Sequence, residues 1–172
     1  MKVPNTRKMV LTALMAAVSL GIYAIESLIP PLIPVPGVKL GLANVITLVC
    51  LYILNTKCAF AVLFIRITVS ALLFGQPVSL LFSLCGGFFS FIVMVLLKKV
   101  FSDENIWAIS VFGAFAHNLG QIVAAVIITS QLAVMYYFLF LIISSVITGV
   151  FTGVCAQVFI KRINDVFLHK NV

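Results

Sequence analysis

The chain has 172 residues, of which 63% are hydrophobic and only 9% are charged, and its mean hydropathy is +1.28. Soluble domains are about half apolar and about a quarter charged, so this composition excludes an ordinary soluble enzyme and indicates an integral membrane protein. The net charge of +7 does not indicate a nucleic-acid partner, because the basic residues lie at the ends of apolar runs.

Apolar runs long enough to cross a bilayer follow one another along the whole chain. A spanning helix needs about 20 apolar residues, and the connections between the runs are short. The sequence therefore predicts a single all-α domain over residues 1–172, a compact bundle of six transmembrane helices. The predicted helices are 9–28, 38–54, 58–74, 78–97, 106–129 and 132–160.

The basic residues predict the orientation of this bundle, because short cytoplasmic loops carry an excess of lysine and arginine. One side of the predicted bundle receives almost all of them, and the other receives only Lys39. Both termini are therefore expected in the cytoplasm. The residues on the basic side are Lys2, Arg7, Lys8, Lys57, Lys98, Lys99, Lys161, Arg162 and Lys170.

A proline-rich segment, Pro30–Asn44, follows the first helix, extends into the start of the predicted second helix and lies on the outer side in this orientation. Proline removes a backbone donor and disfavours helix in the residue before it. We expect a stiff, extended link that acts as a lid over the mouth of the second helix, where Lys39 and Asn44 enter an apolar run.

Polar side chains within the predicted spans gather in the outer half of the membrane. An ionised side chain at the bilayer centre costs at least about 2.5–3.5 kcal/mol, so such residues face the bundle interior or a wet cavity. The sequence therefore predicts a binding pocket that is open to the outside. The candidate substrate-binding residues are Glu26, Lys39, Asn44, Arg66, His117, Asn118, Gln121 and Tyr136.

Arg66 has two interpretations, as the partner of Glu26 in an internal ion pair or as the recognition group for an anion. Lys39 either belongs to the pocket or reaches the lipid headgroups. Two cations against Glu26 favour an anionic or phosphate-bearing ligand. Glu26 has a further interpretation, as a carrier of protons or sodium ions in an autonomous ion-coupled carrier.

The inner half of the first helix carries a separate signal. Ala13 and Ala17 form a small-xxx-small pair, which allows another helix to approach closely. We expect a partner to dock there. No Walker A, aspartate-rich, HExxH or GxSxG motif occurs, so we expect neither an autonomous enzyme nor a cofactor or metal site.

Two motifs resemble a known family: PGVKLGLANVITL at Pro36–Leu48 and HNLGQ at His117–Gln121. With the six-span layout they resemble the Gx transporter family, also called heptaprenyl diphosphate synthase component I. That family is similar to the substrate-binding (S) components of energy-coupling-factor (ECF) importers. The resemblance implies a multi-pass protein of the bacterial plasma membrane that captures a small micronutrient from outside.

The same resemblance implies partners. The S components dock through an alanine-xxx-alanine pattern, matched here by Ala13 and Ala17, onto a transmembrane coupling subunit that two ATPase subunits drive. Lys39 and Asn44 fall in the family's signature segment. The alternative hypothesis is a non-catalytic membrane accessory subunit of a prenyl diphosphate synthase in isoprenoid side-chain synthesis.

Overall fold

The computed structural model describes residues 5–29, 41–74 and 77–169, which form helices joined by short connections and contain no strand. This confirms the predicted all-α architecture. The six α-helices are α1 (Asn5–Leu28), α2 (Asn44–Ile53), α3 (Thr56–Phe74), α4 (Pro77–Leu97), α5 (Ile106–Thr129) and α6 (Phe138–His169). Two 3₁₀ helices, Asp103–Asn105 and Leu132–Tyr137, precede α5 and α6.

Five of these helices are long and apolar enough to cross a membrane, and α2 is not. The predicted second helix, 38–54, is shorter in the structure, because α2 has only 10 residues and starts at Asn44. Ten helical residues span about 15 Å, about half of a hydrocarbon core. Residues 30–40, which contain most of the predicted lid, lie outside the described residues.

The other bounds differ mainly at helix ends. The bounds predicted for the fifth helix agree with α5, which ends where Ser130 adopts a left-handed φ of 55°. The predicted sixth helix is divided, since Leu132–Tyr137 is a 3₁₀ helix. α6 continues to His169, beyond its last apolar run, because a helix can extend past the bilayer into water.

The short helix α2 is the centre of the bundle and contacts each of the other five α-helices. Its residues Ile46–Leu51 are all buried. The carbonyl end of α2 is closed by Lys98, whose ammonium group donates to the Leu51 carbonyl and lies 4.5 Å from the centroid of the Tyr52 ring. A cation at this end complements the helix dipole.

Glycines bring α4, α5 and α6 into close contact. A Cβ atom at Gly120 would lie 2.6 Å from the Cys85 carbonyl oxygen of α4, and one at Gly153 would lie 2.6 Å from the Trp107 Cα of α5. Real Cβ atoms do not approach backbone so closely, so only glycine permits this packing. Small residues serve this purpose widely in membrane helices.

Three helices bring polar residues to one depth, and a fourth brings a glycine. Asn44 starts α2, and Arg66, Gly86 and His117 lie 10 or 11 residues from the ends of α3, α4 and α5 nearest the α2 carbonyl end. This separation is about 15–17 Å along each helix. These residues therefore share a level about halfway through the bundle, and α2 points its amino end at that level.

Candidate functional site

Asn44 joins the side chains of α2, α3 and α5 at the centre of the bundle. Arg66 donates from Nη2 to Asn44 Oδ1 over 2.9 Å. The Asn44 amide nitrogen lies 3.1 Å from His117 Nδ1, and His117 Nε2 lies 3.1 Å from Gln121 Nε2. Because guanidinium only donates, the oxygen of Asn44 must face Arg66, so its amide nitrogen faces the imidazole.

The imidazole of His117 is seated between two glycines from different elements. A Cβ at Gly41 would lie 3.0 Å from His117 Cδ2, and a Cβ at Gly86 would lie 2.9 Å from both Cε1 and Nδ1. Gly41 also has φ of +79°, which other residues rarely adopt. The two glycines therefore leave the space that the His117 ring occupies.

Glu26 holds the turn that precedes α2. Its Oε1 accepts a hydrogen bond from the Gly41 amide over 2.6 Å, although the two residues are 15 positions apart. Seven residues earlier on α1, Ser19 donates to the Ala43 carbonyl over 3.3 Å. Two contacts from α1 therefore position the start of α2.

A small cavity lies among these groups. The space available to the centre of a water molecule is about 10 Å³, which is room for one water. The buried side chains Glu26, Arg66, His117 and Gln121 face it and are at most 5% exposed. The cavity is lined by Tyr23, Glu26, Gly41, Arg66, Ile67, Ser70, Ser83, His117 and Gln121.

The charged groups around this cavity leave one hydrogen-bond donor, on Arg66, without a partner among the described residues. Glu26 and Arg66 are close enough for their charges to interact, and the amino end of α2 contributes roughly half of a further positive charge. Arg66 Nε is buried and has no hydrogen-bond partner among the described residues. A guanidinium with a spare donor is suited to an oxyanion, because its N–H groups match carboxylate and phosphate oxygens.

Glu26, Asn44, Arg66, His117 and Gln121 are thus brought together. Asn118 is buried but points to α6, where its Nδ2 donates to the Leu141 carbonyl over 2.8 Å. Tyr136 is 84% exposed in the 3₁₀ helix before α6 and is not among the residues that line the cavity. Lys39 lies outside the described residues.

Tyr23, Ser70 and Ser83 line the cavity but were not candidates from the sequence. The positions of Tyr23 and Ser70 follow from helix periodicity, since residues three or four apart share a face. Tyr23 precedes Glu26 by three residues, and Ser70 follows Arg66 by four, and this spacing is the signal for both. Ser83 lies on α4, where the sequence predicted no site residue. Within residues 5–29, 41–74 and 77–169, no three metal-ligating side chains cluster.

The predicted docking residues lie on a different surface. Ala13 and Ala17 are exposed on α1, whereas Ala16 between them is only 3% exposed and packs in the core. Gly21 lies four residues further along the same face, and a methyl group added there would meet no described atom within 4 Å. A face with three small residues at four-residue spacing is therefore open among the described residues.

The comparisons with known proteins give one match. The family model described as heptaprenyl diphosphate synthase component I matches residues 15–159. No curated protein and no solved structure matches the chain. The matched range includes all the described residues that line the cavity beside Arg66, and it excludes only the chain ends. This chain of membrane-spanning helices therefore belongs to the heptaprenyl diphosphate synthase component I family.

Proposed function

We propose that this membrane protein is the substrate-binding component of an ECF-type importer and captures a small anionic or phosphate-bearing, micronutrient-like ligand from the outer face. The observation that carries the proposal is the convergence of Glu26, Arg66, His117 and Gln121 around one buried cavity. Asn44 adjoins it through its hydrogen bonds to Arg66 and His117. Burying so many polar groups in a bilayer is costly, and ligand recognition is a reason to retain them.

The charge of the ligand is inferred from Arg66 and from the direction of α2. Arg66 keeps one N–H without a partner among the described residues, and α2 begins just after Gly41, which lines the same cavity, so the positive end of the helix lies beside it. Glu26 already accepts from the Gly41 amide. A carboxylate or phosphate oxygen would take the position opposite Arg66 and gain charge-assisted hydrogen bonds.

Entry of such a ligand requires side chains to move, because the cavity has room for only one water molecule. Asn44 is the group to displace, since its oxygen accepts from Arg66 and an anionic oxygen is the stronger acceptor. Displacement frees Asn44 to turn its amide toward the ligand. Binding therefore couples to the first turn of α2.

The excess of basic residues at the opposite end of α2 supports a cytoplasmic location for that end. The ligand would then approach from the outside and be released inward by partner subunits. The exposed small residues Ala13, Ala17 and Gly21 of α1 provide a docking face for a transmembrane coupling subunit, itself driven by two ATPase subunits.

The description of the family favours a second candidate function. It names a component of heptaprenyl diphosphate synthase, so the chain is alternatively a membrane accessory subunit of a prenyl diphosphate synthase. In that case the chain itself is no enzyme, and Arg66 would hold the diphosphate of a substrate or product of the soluble partner.

Native mass spectrometry of the gently extracted protein tests the binding site. Wild type is expected to carry a small-molecule adduct, and Arg66→Ala is expected to lose it. Lys98→Met is the matched control, because it removes a cation at the far end of α2. An adduct that survives equally in Arg66→Ala would contradict the assignment of the site.

Co-purification separates the two functions. Recovery of a coupling subunit with ATPase subunits supports the importer, and Ala13→Trp should abolish that recovery while keeping the adduct. Recovery of a soluble prenyl synthase instead supports the accessory subunit. Loss of the adduct in Ala13→Trp would show that the docking face and the binding site are not independent.

A further inference from the structure

A second small cavity lies on the other side of the Gly41–Asn44 turn, between α2, α4, α5 and α6. It also offers about 10 Å³ to the centre of a water molecule. Gly41 borders both cavities, and Asn44, which holds Arg66 and His117 beside the first cavity, lines the second. We call this second space the inner cavity. Its polar side chains are Asn44, Ser90, Ser110, Thr148 and Thr152.

The hydroxyl groups of α5 and α6 already use their hydrogens. Thr152 donates to the Thr148 carbonyl over 2.7 Å, and Thr148 donates to the Ser144 carbonyl over 2.8 Å. Ser110 and Thr152 share a hydrogen bond of 2.9 Å, in which Ser110 must be the donor because the Thr152 hydrogen is used. These three hydroxyls therefore offer only lone pairs to the inner cavity.

Ser90 of α4 is the exception. Its side chain is 1% exposed, and its hydroxyl is buried without a hydrogen-bond partner among the described residues. An unpartnered buried hydroxyl is destabilising, because it has lost its contact with bulk water and gained no hydrogen bond, and most buried polar atoms are satisfied by protein or by ordered water. The cavity that Ser90 faces has the size of one water molecule.

We propose that the inner cavity binds one internal water molecule. The water accepts from Ser90 and donates to the lone pairs of the α5 and α6 hydroxyls. Buried waters typically make about three hydrogen bonds, and these groups provide that number. An anion is disfavoured by the three hydroxyls that can only accept, and a metal cation by the absence of a carboxylate among the described residues that line the cavity.

This water joins α4 to α5 and α6 beside Asn44, the residue that holds Arg66 and His117. It therefore supports the first turn of α2 from the side opposite the Arg66 cavity. The inference does not depend on the proposed function, since it follows from the hydrogen-bond accounting of Ser90, Ser110 and Thr152 alone.

Thermal unfolding of Ser90→Ala tests the proposal. If water is bound, the variant removes one of its partners, and the apparent Tm should fall by about 2–4 °C. If the cavity is dry, the variant removes an unsatisfied hydroxyl, and Tm should stay unchanged or rise, which would overturn the proposal. Ser145→Ala is the reference, because Ser145 is also buried and its hydroxyl has a partner, the Ile142 carbonyl of its own helix. Since each variant removes one satisfied hydroxyl if water is bound, the two falls in Tm should be of similar size.

A second measurement identifies the occupant. A structure that resolves ordered water should show a peak within hydrogen-bonding distance of Ser90 Oγ, and a resolved cavity without a peak would overturn the proposal. The Tm of wild type should be equal in sodium chloride and in choline chloride. A sodium-dependent increase that Ser90→Ala abolishes would assign the site to a cation and contradict the water.

Discussion

The two ends of α2 differ in how the cation beside each end is bound. At the carbonyl end, Lys98 satisfies the Leu51 carbonyl and lies over the Tyr52 ring. At the amino end, Asn44 connects Arg66 with His117, and Arg66 still has a buried N–H without a partner among the described residues. At the carbonyl end the protein itself supplies the cation that binds the helix, whereas at the amino end a charged donor is left for a ligand.

This difference separates structural polar groups from binding groups. A half-buried cation such as Lys98 that closes a helix end contributes to stability, whereas a buried cation with a spare donor beside a cavity is preorganised for a ligand. Lys98 follows α4 at the basic end of the bundle, whereas Arg66 lies halfway through it. The partners of the two cations differ as well, and substitutions at the two ends of α2 should therefore affect different measurements.

The largest expected effect is on ligand affinity at the amino end. Arg66→Ala should lower the affinity for the co-purified ligand by about 10–100-fold or more, because a hydrogen bond to a charged group contributes about 1.5–3 kcal/mol. Equilibrium binding by isothermal titration would measure it. Arg66→Lys should recover only part of the affinity, since lysine cannot bind an oxyanion through two N–H groups in a fixed plane.

The next largest effect is expected on stability and binding, when the space around the His117 ring is filled. Gly86→Ala places a methyl group 2.9 Å from the His117 carbonyl oxygen and its ring, and such overpacking costs about 1–3 kcal/mol. We expect a lower apparent Tm together with weaker binding. Gly21→Ala is the control, because the added methyl meets no neighbouring atom among the described residues. An equal Tm for the two variants would contradict the close contact between Gly86 and His117.

At the carbonyl end, the expected effect is on stability alone. Lys98→Met should lower the free energy of unfolding by about 1–2 kcal/mol, because it removes a cation from a helix carbonyl terminus. Ligand affinity should remain within about twofold of wild type, a difference of less than about 0.5 kcal/mol. A loss of affinity comparable to that of Arg66→Ala would mean that the two ends are not functionally distinct.

The smallest effect is expected at Tyr136. Its side chain is 84% exposed, so Tyr136→Phe should change stability by less than about 0.5 kcal/mol and leave affinity unchanged. Binding isotherms of the variant and wild type should superimpose. A marked loss of affinity would return Tyr136 to the site that the sequence predicted for it.

The sequence predicted the helical bundle, because the length of an apolar run reflects the thickness of the bilayer. The orientation inferred from the basic flanks stays a prediction. The sequence also predicted that Glu26, Asn44, Arg66, His117 and Gln121 converge, because polar side chains within a bilayer face the bundle interior and pair with one another. His117 and Gln121 are four residues apart and share a helix face. Asn118, one residue later, is turned by about 100° on the helix and points to Leu141 instead.

The sequence did not predict that α2 begins halfway across the bundle. Its apolar run continues before Asn44, so composition alone extends the helix to residue 38. The tertiary contacts determine the start, since Glu26 binds the Gly41 amide and Gly41 adopts a positive φ. The exposure of Tyr136 was likewise not predictable, because an aromatic residue near a helix end suits both a pocket and a membrane interface.

A structure of the ligand-bound protein in a lipid nanodisc tests the central claim most directly. We predict density for a small molecule between α1, α2, α3 and α5, with an oxygen in contact with Arg66 Nε and the Asn44 amide displaced from Arg66. Ligand density elsewhere, with the Arg66–Asn44 hydrogen bond intact, would contradict the proposed binding site.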